Sequence, residues 1–322
     1  MSTPLLEVRN LKTHFISRTS RVRAVDGVDF SVERGKVLGI VGESGSGKSM
    51  TSLSIMRLVP GPQGQIVDGE ILLDGKNLLK LTEREMTNIR GNQIGMIFQE
   101  PMTALNPVLK IGEQIGEVLT RHRGMNKAEA KKHAVELLKN VGFPRAEQIV
   151  NEYPHQLSGG MRQRAMIAMA MACQPTLLIA DEPTTALDVT IQAQVLDLMR
   201  ELKNRTGTAI ILITHDLGVI AEMADDMVVM YGGQVVESGS ADSVFEEPLH
   251  PYTRALLESI PVIDEERERL TAIPGTVPSA ANFPEGCRFA DRCSLVESSC
   301  REKMPELREL RKGHSVRCTL AV

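Results

Sequence analysis

The residues Gly42-Glu-Ser-Gly-Ser-Gly-Lys-Ser49 carry the densest chemistry in the chain. They fit the spacing G-x-x-x-x-G-K-[ST], between an apolar run that reads as a strand (Val37–Val41) and one that reads as a helix (Lys48–Leu58). Such a turn aims backbone N–H groups at an anion beside a helix N-terminus. The amides from Gly42 through Ser44, Gly45 and Gly47 to Met50 are the candidates. Glycine lets the backbone close around a phosphate that side chains would obstruct. Lys48 supplies a point charge for the β- and γ-phosphates, and Ser49 a hydroxyl for Mg²⁺. These residues predict a nucleotide site.

A second constellation ends the apolar run Leu177-Leu-Ile-Ala180. Asp181 falls at a strand's C-terminal end, where a parallel sheet presents its ligands, and can hold Mg²⁺ through water. Glu182 is placed to polarise a water for in-line attack on a γ-phosphate. A third feature is the spacing C-x₅-C-x₆-C-x₁₇-C of Cys287, Cys293, Cys300 and Cys318. A disulfide framework is not expected in a reducing compartment, and clustered thiols there point to a metal. Tetrahedral Zn²⁺ suits four thiolates, although zinc sites prefer closer pairs; an iron–sulfur cluster and four unligated thiols are the other readings. Cys173 stands apart and reads as core.

The elements that must position these groups follow from periodicity. Leu6–Arg9 and Val28–Val32 alternate as strands, whereas Val37–Val41, Ile94–Phe98, Thr176–Asp181 and Ala209–Thr214 are short buried runs. Gly69–Gly75 reads as a strand closing in an Asp-Gly turn, and Tyr231-Gly-Gly-Gln234 as a hairpin. Residues 110–157 are helical in pattern, with the lysines of 127–138 on a solvated face. Helices are expected at 158–172 and 190–204. Strands alternating with helices predict a parallel α/β core.

At 322 residues the chain makes roughly two folding units at ~150 residues each. Lys+Arg 37 against Asp+Glu 41 leaves a net charge of −4, which argues against a nucleic-acid partner. No apolar run approaches the ~20 residues of a membrane span, and the N-terminus lacks a signal-peptide pattern, so a cytoplasmic chain is expected. Texture changes near residue 260, where prolines, charges and the cysteines take over.

The run Leu157-Ser-Gly-Gly-Met-Arg-Gln-Arg164 resembles the signature motif of ATP-binding cassette (ABC) proteins. With the phosphate loop (Walker A), Gln99, Asp181-Glu182 (Walker B), Ala186-Leu-Asp188 and His215, it completes that family's ordered set over about residues 5–260. The resemblance implies a P-loop fold: a RecA-like parallel sheet core, an antiparallel β part and a helical subdomain at about 100–172. It divides the chain into a nucleotide-binding domain, 1–260, and a small Cys-rich C-terminal module, 261–322. By resemblance Gln99 touches Mg²⁺ and the attacking water. Ser158, Gly159 and Gly160 form a second anion site facing the γ-phosphate held by a partner cassette. Asp188 bridges the two sites, His215 contacts the γ-phosphate, and Phe15 stacks on adenine. The family commonly has Gln where Met161 stands, but the backbone amides and Ser158 carry that contact.

Phe98-Gln-Glu-Pro-Met-Thr-Ala-Leu-Asn-Pro107, Tyr153–Gly160, Asp181–Gln192 and His250-Pro-Tyr-Thr-Arg-Ala-Leu256 are similar to the ATPases of bacterial oligopeptide and dipeptide importers. That branch implies ATP hydrolysis with Mg²⁺ and two membrane permeases. It also implies a second cassette, identical or different, and an extracellular binding protein reached indirectly. The chain would sit peripherally on the cytoplasmic face of the cell membrane. The branch further implies a [4Fe–4S] cluster on the four cysteines, with zinc as the alternative. Nickel or glutathione import, and a soluble ABC ATPase acting on nucleic acid or ribosomes, are the rival functions.

Overall fold

The computed structural model describes residues 3–185, 187–259 and 273–321, without the side chains of Pro101 and Met102. The expected boundary between 260 and 261 and Ala186 of the Asp188 motif lie outside the described residues. The chain forms two compact units, one of Met1–Val32, Lys36–Leu79 and Leu212–Val322, the other of Glu33–Gly35 and Lys80–Ile211.

The first unit opens with β1 (Leu6–Ile16), β2 (Arg21–Val32) and β3 (Val37–Val41). The helix α1 (Lys48–Ile55) follows, then β4 (Gly64–Leu73) and β5 (Lys76–Asn77). An antiparallel sheet runs β2-β1-β4-β5. Every residue of β3 is buried, as a strand covered on both faces requires. The helix α1 stops three residues before the expected Leu58. Arg57 takes a left-handed conformation (φ 52). Leu58 N–H then bonds Leu53 O at 2.8 Å and Arg57 N–H bonds Ser54 O at 3.0 Å, the paired bonds of a Schellman stop.

The second unit contains α2 (Glu83–Ile89), β6 (Ile94–Ile97), α3 (Pro101–Ala104), α4 (Ile111–Arg123), α5 (Lys127–Asn140) and α6 (Ala146–Ile149). After them come α7 (Gly159–Ala170), β7 (Leu177–Asp181), α8 (Val189–Thr206) and the start of β8 (Ala209–Ile213). β6 and β7 pair in parallel, with Ile94 opposite Leu177 and Ile97 opposite Ala180. All residues of β6, β7 and β8 are buried, again the mark of a doubly covered parallel sheet. The expected helical stretch resolves into α4, α5 and α6, and Lys131 and Lys132 of α5 are exposed. Cys173 is fully buried, as expected of core.

The chain returns to the first unit with α9 (Leu217–Met223), β9 (Asp226–Tyr231), β10 (Gln234–Ser240), α10 (Ala241–Glu246) and α11 (Pro251–Glu258). β3 and β9 pair in parallel, Val41 opposite Val229. Gly232 and Gly233, both at positive φ (54 and 80), turn the β9–β10 hairpin. The last described stretch adds α12 (Ser299–Glu302), β11 (Arg308–Arg311) and β12 (His314–Val316). β12 extends the sheet by pairing antiparallel with β10, Glu237 opposite Val316. The Glu237 carboxylate is fully buried and fully used, accepting from Leu249 N–H (2.7 Å) and His250 N–H (2.8 Å) and pairing with His314 Nε2 (2.8 Å).

Candidate nucleotide site

In the first unit, β3 delivers the chain into a loop shaped by glycine. Gly42 sits at φ 147 and a Cβ there would lie 2.2 Å from Met230 O; Gly47, at φ 101, would place one 2.5 Å from Ala24 O. Gly45 is different: φ is 80 but nothing lies within 4 Å, so conformation alone requires glycine. The loop ends on α1, whose first turn holds no acidic residue and whose N-cap, Gly47, makes no side-chain cap bond. The positive end of the helix dipole at α1's N-terminus suits an anion. The Lys48 ammonium folds back along the loop, donating to Gly42 O at 2.7 Å and Glu43 O at 3.1 Å. Ser44 and Gly45 are exposed, Ser49 and Met50 half-buried. Ser46 Oγ is buried with no hydrogen-bond partner. His215 is exposed just beyond β8, and Phe15 is half-buried on β1 opposite Val22 and Gly64.

In the second unit, the parallel register of β6 and β7 sets their C-terminal ends side by side. Gln99, two residues past β6, and Glu182, one past β7, therefore meet: Gln99 Nε2 donates to Glu182 Oε2 at 3.1 Å. Thr185 Oγ1 donates to the same oxygen at 2.8 Å. Thr185 was not evident from the sequence, since nothing in its type marks it as a partner of Glu182. Glu182 takes a left-handed conformation (φ 48), a strain of order 1–3 kcal/mol of the kind that collects at functional sites. Asp181 ends β7 and is 4% exposed. Ser158 caps α7, its Oγ accepting from Met161 N–H at 3.3 Å. A Cβ on Gly160 would lie 2.7 Å from Ile191 Cγ2, so α7 and α8 approach closely there; Gly159 has open space. Asp188 caps α8 by accepting from Ile191 N–H at 3.0 Å.

The four clustered cysteines line one cavity in the first unit, with His250, Phe289 and Leu320 among its other walls. Cys287 N–H donates to Cys300 O at 2.7 Å. Burial pushes the Cys287 thiol up to about 11, and the neighbouring thiols add to the effect. Cys293 is raised by burial as well. Among the described residues, no three His, Cys, Asp or Glu side chains form a group that could hold a metal ion. The expectation of a ready-made ligand set for iron–sulfur or zinc therefore finds no support in the side-chain positions.

Comparison with known proteins matches residues 25–185 to the ABC transporter family and residues 236–300 to the C-terminal region of oligopeptide/dipeptide transporters. The oligopeptide transport ATP-binding protein AppD of Bacillus subtilis is 60% identical, over 99% of this chain and 97% of the relative. The dipeptide transport ATP-binding protein DppD of Escherichia coli is 48% identical, over 98% of this chain and 96% of its own. The chain belongs to the ABC transporter family. Within it, this ABC ATPase falls in the oligopeptide/dipeptide transporter branch. The dimeric cassette MJ0796, solved in a post-hydrolysis state bound to ADP and Pi, matches the ABC ATPase with a TM-score of 0.66 and 29% identity. That match covers 73% of this chain and 98% of the cassette, which confirms the cassette fold. Among the described residues no helix is long and apolar enough to cross a membrane.

Proposed function

We propose that this ABC ATPase powers uptake of di- and oligopeptides through partner membrane permeases. The observation that carries the reading is similarity to peptide transport ATP-binding proteins over nearly the whole chain, the C-terminal region included. In this reading the amides of Gly42–Met50 and Lys48 bind the ATP phosphates, and Phe15 stacks on adenine. Ser49, Gln99 and Asp181 hold Mg²⁺. Glu182 takes a proton from water as the water oxygen bonds the γ-phosphorus and the bond to the ADP oxygen breaks. The Gln99 and Thr185 bonds orient that carboxylate. His215 contacts the γ-phosphate. Ser158, Gly159, Gly160 and Asp188 serve a second cassette's nucleotide, so that ATP closes a pair of cassettes and hydrolysis reopens it.

The chain then consists of a nucleotide-binding domain, 1–260, with a helical subdomain at about 100–172, and a C-terminal module, 261–322. It works peripherally at the cytoplasmic face of the membrane with two permeases and a second ATPase. Cys287, Cys293, Cys300 and Cys318 hold a [4Fe–4S] cluster that braces the module. What supports that reading is that the four thiols line one cavity and that residues 236–300 match the C-terminal region of oligopeptide/dipeptide transporters.

Tagged Glu182→Gln protein, captured with ATP from solubilised native membranes, tests the reading. Hydrolysis should fall by roughly 10²–10⁴ while ATP binding persists, and two multi-span permeases should co-purify. Recovery of ribosomes or DNA-repair factors in their place would point to a soluble ATPase and overturn the importer.

A further inference from the structure

The phosphate loop carries a carboxylate, Glu43, with the same sign of charge as its proposed ligand. Its partner comes from far along the chain. Arg292 Nη1 donates to Glu43 Oε2 at 2.6 Å and Nη2 donates to Glu43 Oε1 at 3.0 Å, a bidentate pair spanning 249 positions of sequence. The Arg292 side chain is only 4% exposed, the Glu43 side chain 29%. Every arm of the guanidinium is engaged: Nε donates to Pro274 O (2.7 Å), Nη1 also reaches Tyr231 Oη (3.3 Å) and Nη2 reaches Ile273 O (3.4 Å). Burial would lower the guanidinium's affinity for its proton, but the Glu43 bond outweighs that and raises it.

A second tie holds the same loop residue. Glu43 N–H donates to Tyr252 Oη at 2.8 Å. Tyr252 is fully buried in an aromatic group with Tyr231 (ring centroids 4.7 Å) and Phe289 (5.4 Å). Phe289 and Arg292 lie on the segment between Cys287 and Cys293. The Glu43 side chain is thus tied directly to the cysteine-bearing segment, and its backbone is held by Tyr252 of α11, which packs on Phe289 of that segment.

We infer that Arg292 is a positioning residue for nucleotide binding: held against the phosphate loop by its bidentate bond, it neutralises the Glu43 carboxylate, which would otherwise repel the ATP phosphates. The inference rests on the nucleotide reading of that loop. A buried arginine removed from such a pair leaves its carboxylate without compensation, a large effect relative to that of an exposed pair. Two consequences separate this role from mere scaffolding. Arg292→Ala should weaken ATP binding, and Glu43→Gln added to it should restore much of the loss by removing the stranded charge.

The test is equilibrium binding of a fluorescent ATP analogue to the full-length protein, with Lys48→Ala as the loop-defective control. Iron content and circular dichroism are followed in every variant. Arg292→Ala is expected to raise Kd about ten-fold, and Arg292→Ala/Glu43→Gln to return within about three-fold of wild type. If Arg292→Ala fails to fold, Arg292→Lys takes its place: it keeps the charge but loses the bidentate geometry, and it should raise Kd about three-fold. Wild-type binding with unchanged Kd in Arg292→Ala, or a loss that Glu43→Gln does not relieve, overturns the positioning role alone. A wild-type protein that binds no more analogue than Lys48→Ala overturns the nucleotide reading and this inference with it.

Discussion

The phosphate loop and the cysteine-lined cavity belong to one unit, yet they are built on opposite principles. The loop is contiguous, and its chemistry is backbone: amides aimed by glycines whose Cβ atoms would collide with Met230 O or Ala24 O. The cavity is assembled from side chains spread between His250 and Leu320. Distant ties fix it. Arg288 donates to Gly232 O and to Asp26, and β12 closes onto β10. A backbone site is specified by local conformation, so a short spacing announces it. A side-chain site depends on tertiary closure, and spacing alone leaves its occupant open.

The sharpest way to break that contrast is a single methyl group in the loop. Gly47→Ala forces a residue into φ 101 and sets its Cβ 2.5 Å from a backbone oxygen. Left-handed strain of about 1–2 kcal/mol and overpacking of about 1–3 kcal/mol add, so a loss of roughly 3 kcal/mol is expected. Gly45→Ala shares the positive φ but meets nothing within 4 Å, so it should cost only the strain, about 1–2 kcal/mol. Chemical denaturation of both variants measures the difference. Equal losses would mean that close packing contributes nothing to the loop.

For the cavity the expected signature is equivalence. If the four thiols act together, Cys287→Ser, Cys293→Ser, Cys300→Ser and Cys318→Ser should each bring iron and acid-labile sulfide in anaerobically purified protein to background, with similar losses of thermal stability. If they are independent packing groups, the buried Cys300 and Cys318 should matter more than the half-buried Cys287 and Cys293. Stoichiometric zinc in the wild type would exclude the iron–sulfur cluster.

Much of the architecture was legible because its cues are local. The strands β3, β6, β7 and β8 announce themselves as short apolar runs, since both faces of each are buried. The end of α1 was not, because its stop places Arg57, a residue with no preference for positive φ, in the left-handed region. The hairpin of β11 and β12 was hidden as well: three of the four residues of Arg308–Arg311 are exposed, so no apolar alternation marks the strand. In the candidate site, Gln99 and Glu182 were identifiable by position, but their bond depends on the register of β6 with β7. Arg292 was invisible, because nothing in a lone arginine names a carboxylate 249 residues away.

The smallest of these effects concerns the wall of the cavity and depends on pH. His250 is 1% exposed, its Nδ1 accepts from Tyr252 N–H at 3.0 Å, and burial, with Arg317 nearby adding to it, lowers its pKa from 6.5 to about 3. A ring nitrogen that accepts must be unprotonated, so the native state holds His250 neutral. The unfolded chain instead takes up a proton below about pH 6.5, its ordinary value. Between that pH and about 3 the unfolded state binds one more proton, so this group's contribution to stability is full above 6.5 and shrinks as the pH falls. The limiting slope is about 1.4 kcal/mol per pH unit, approached only well below 6.5. His250→Asn preserves an acceptor near Tyr252 N–H and removes the titration. The wild type should therefore lose more stability than His250→Asn between pH 7 and pH 5, by roughly 1–2 kcal/mol, in paired denaturation curves. Parallel curves would mean that the ring is already charged in the folded protein, and the Tyr252 bond would then have to run through another acceptor.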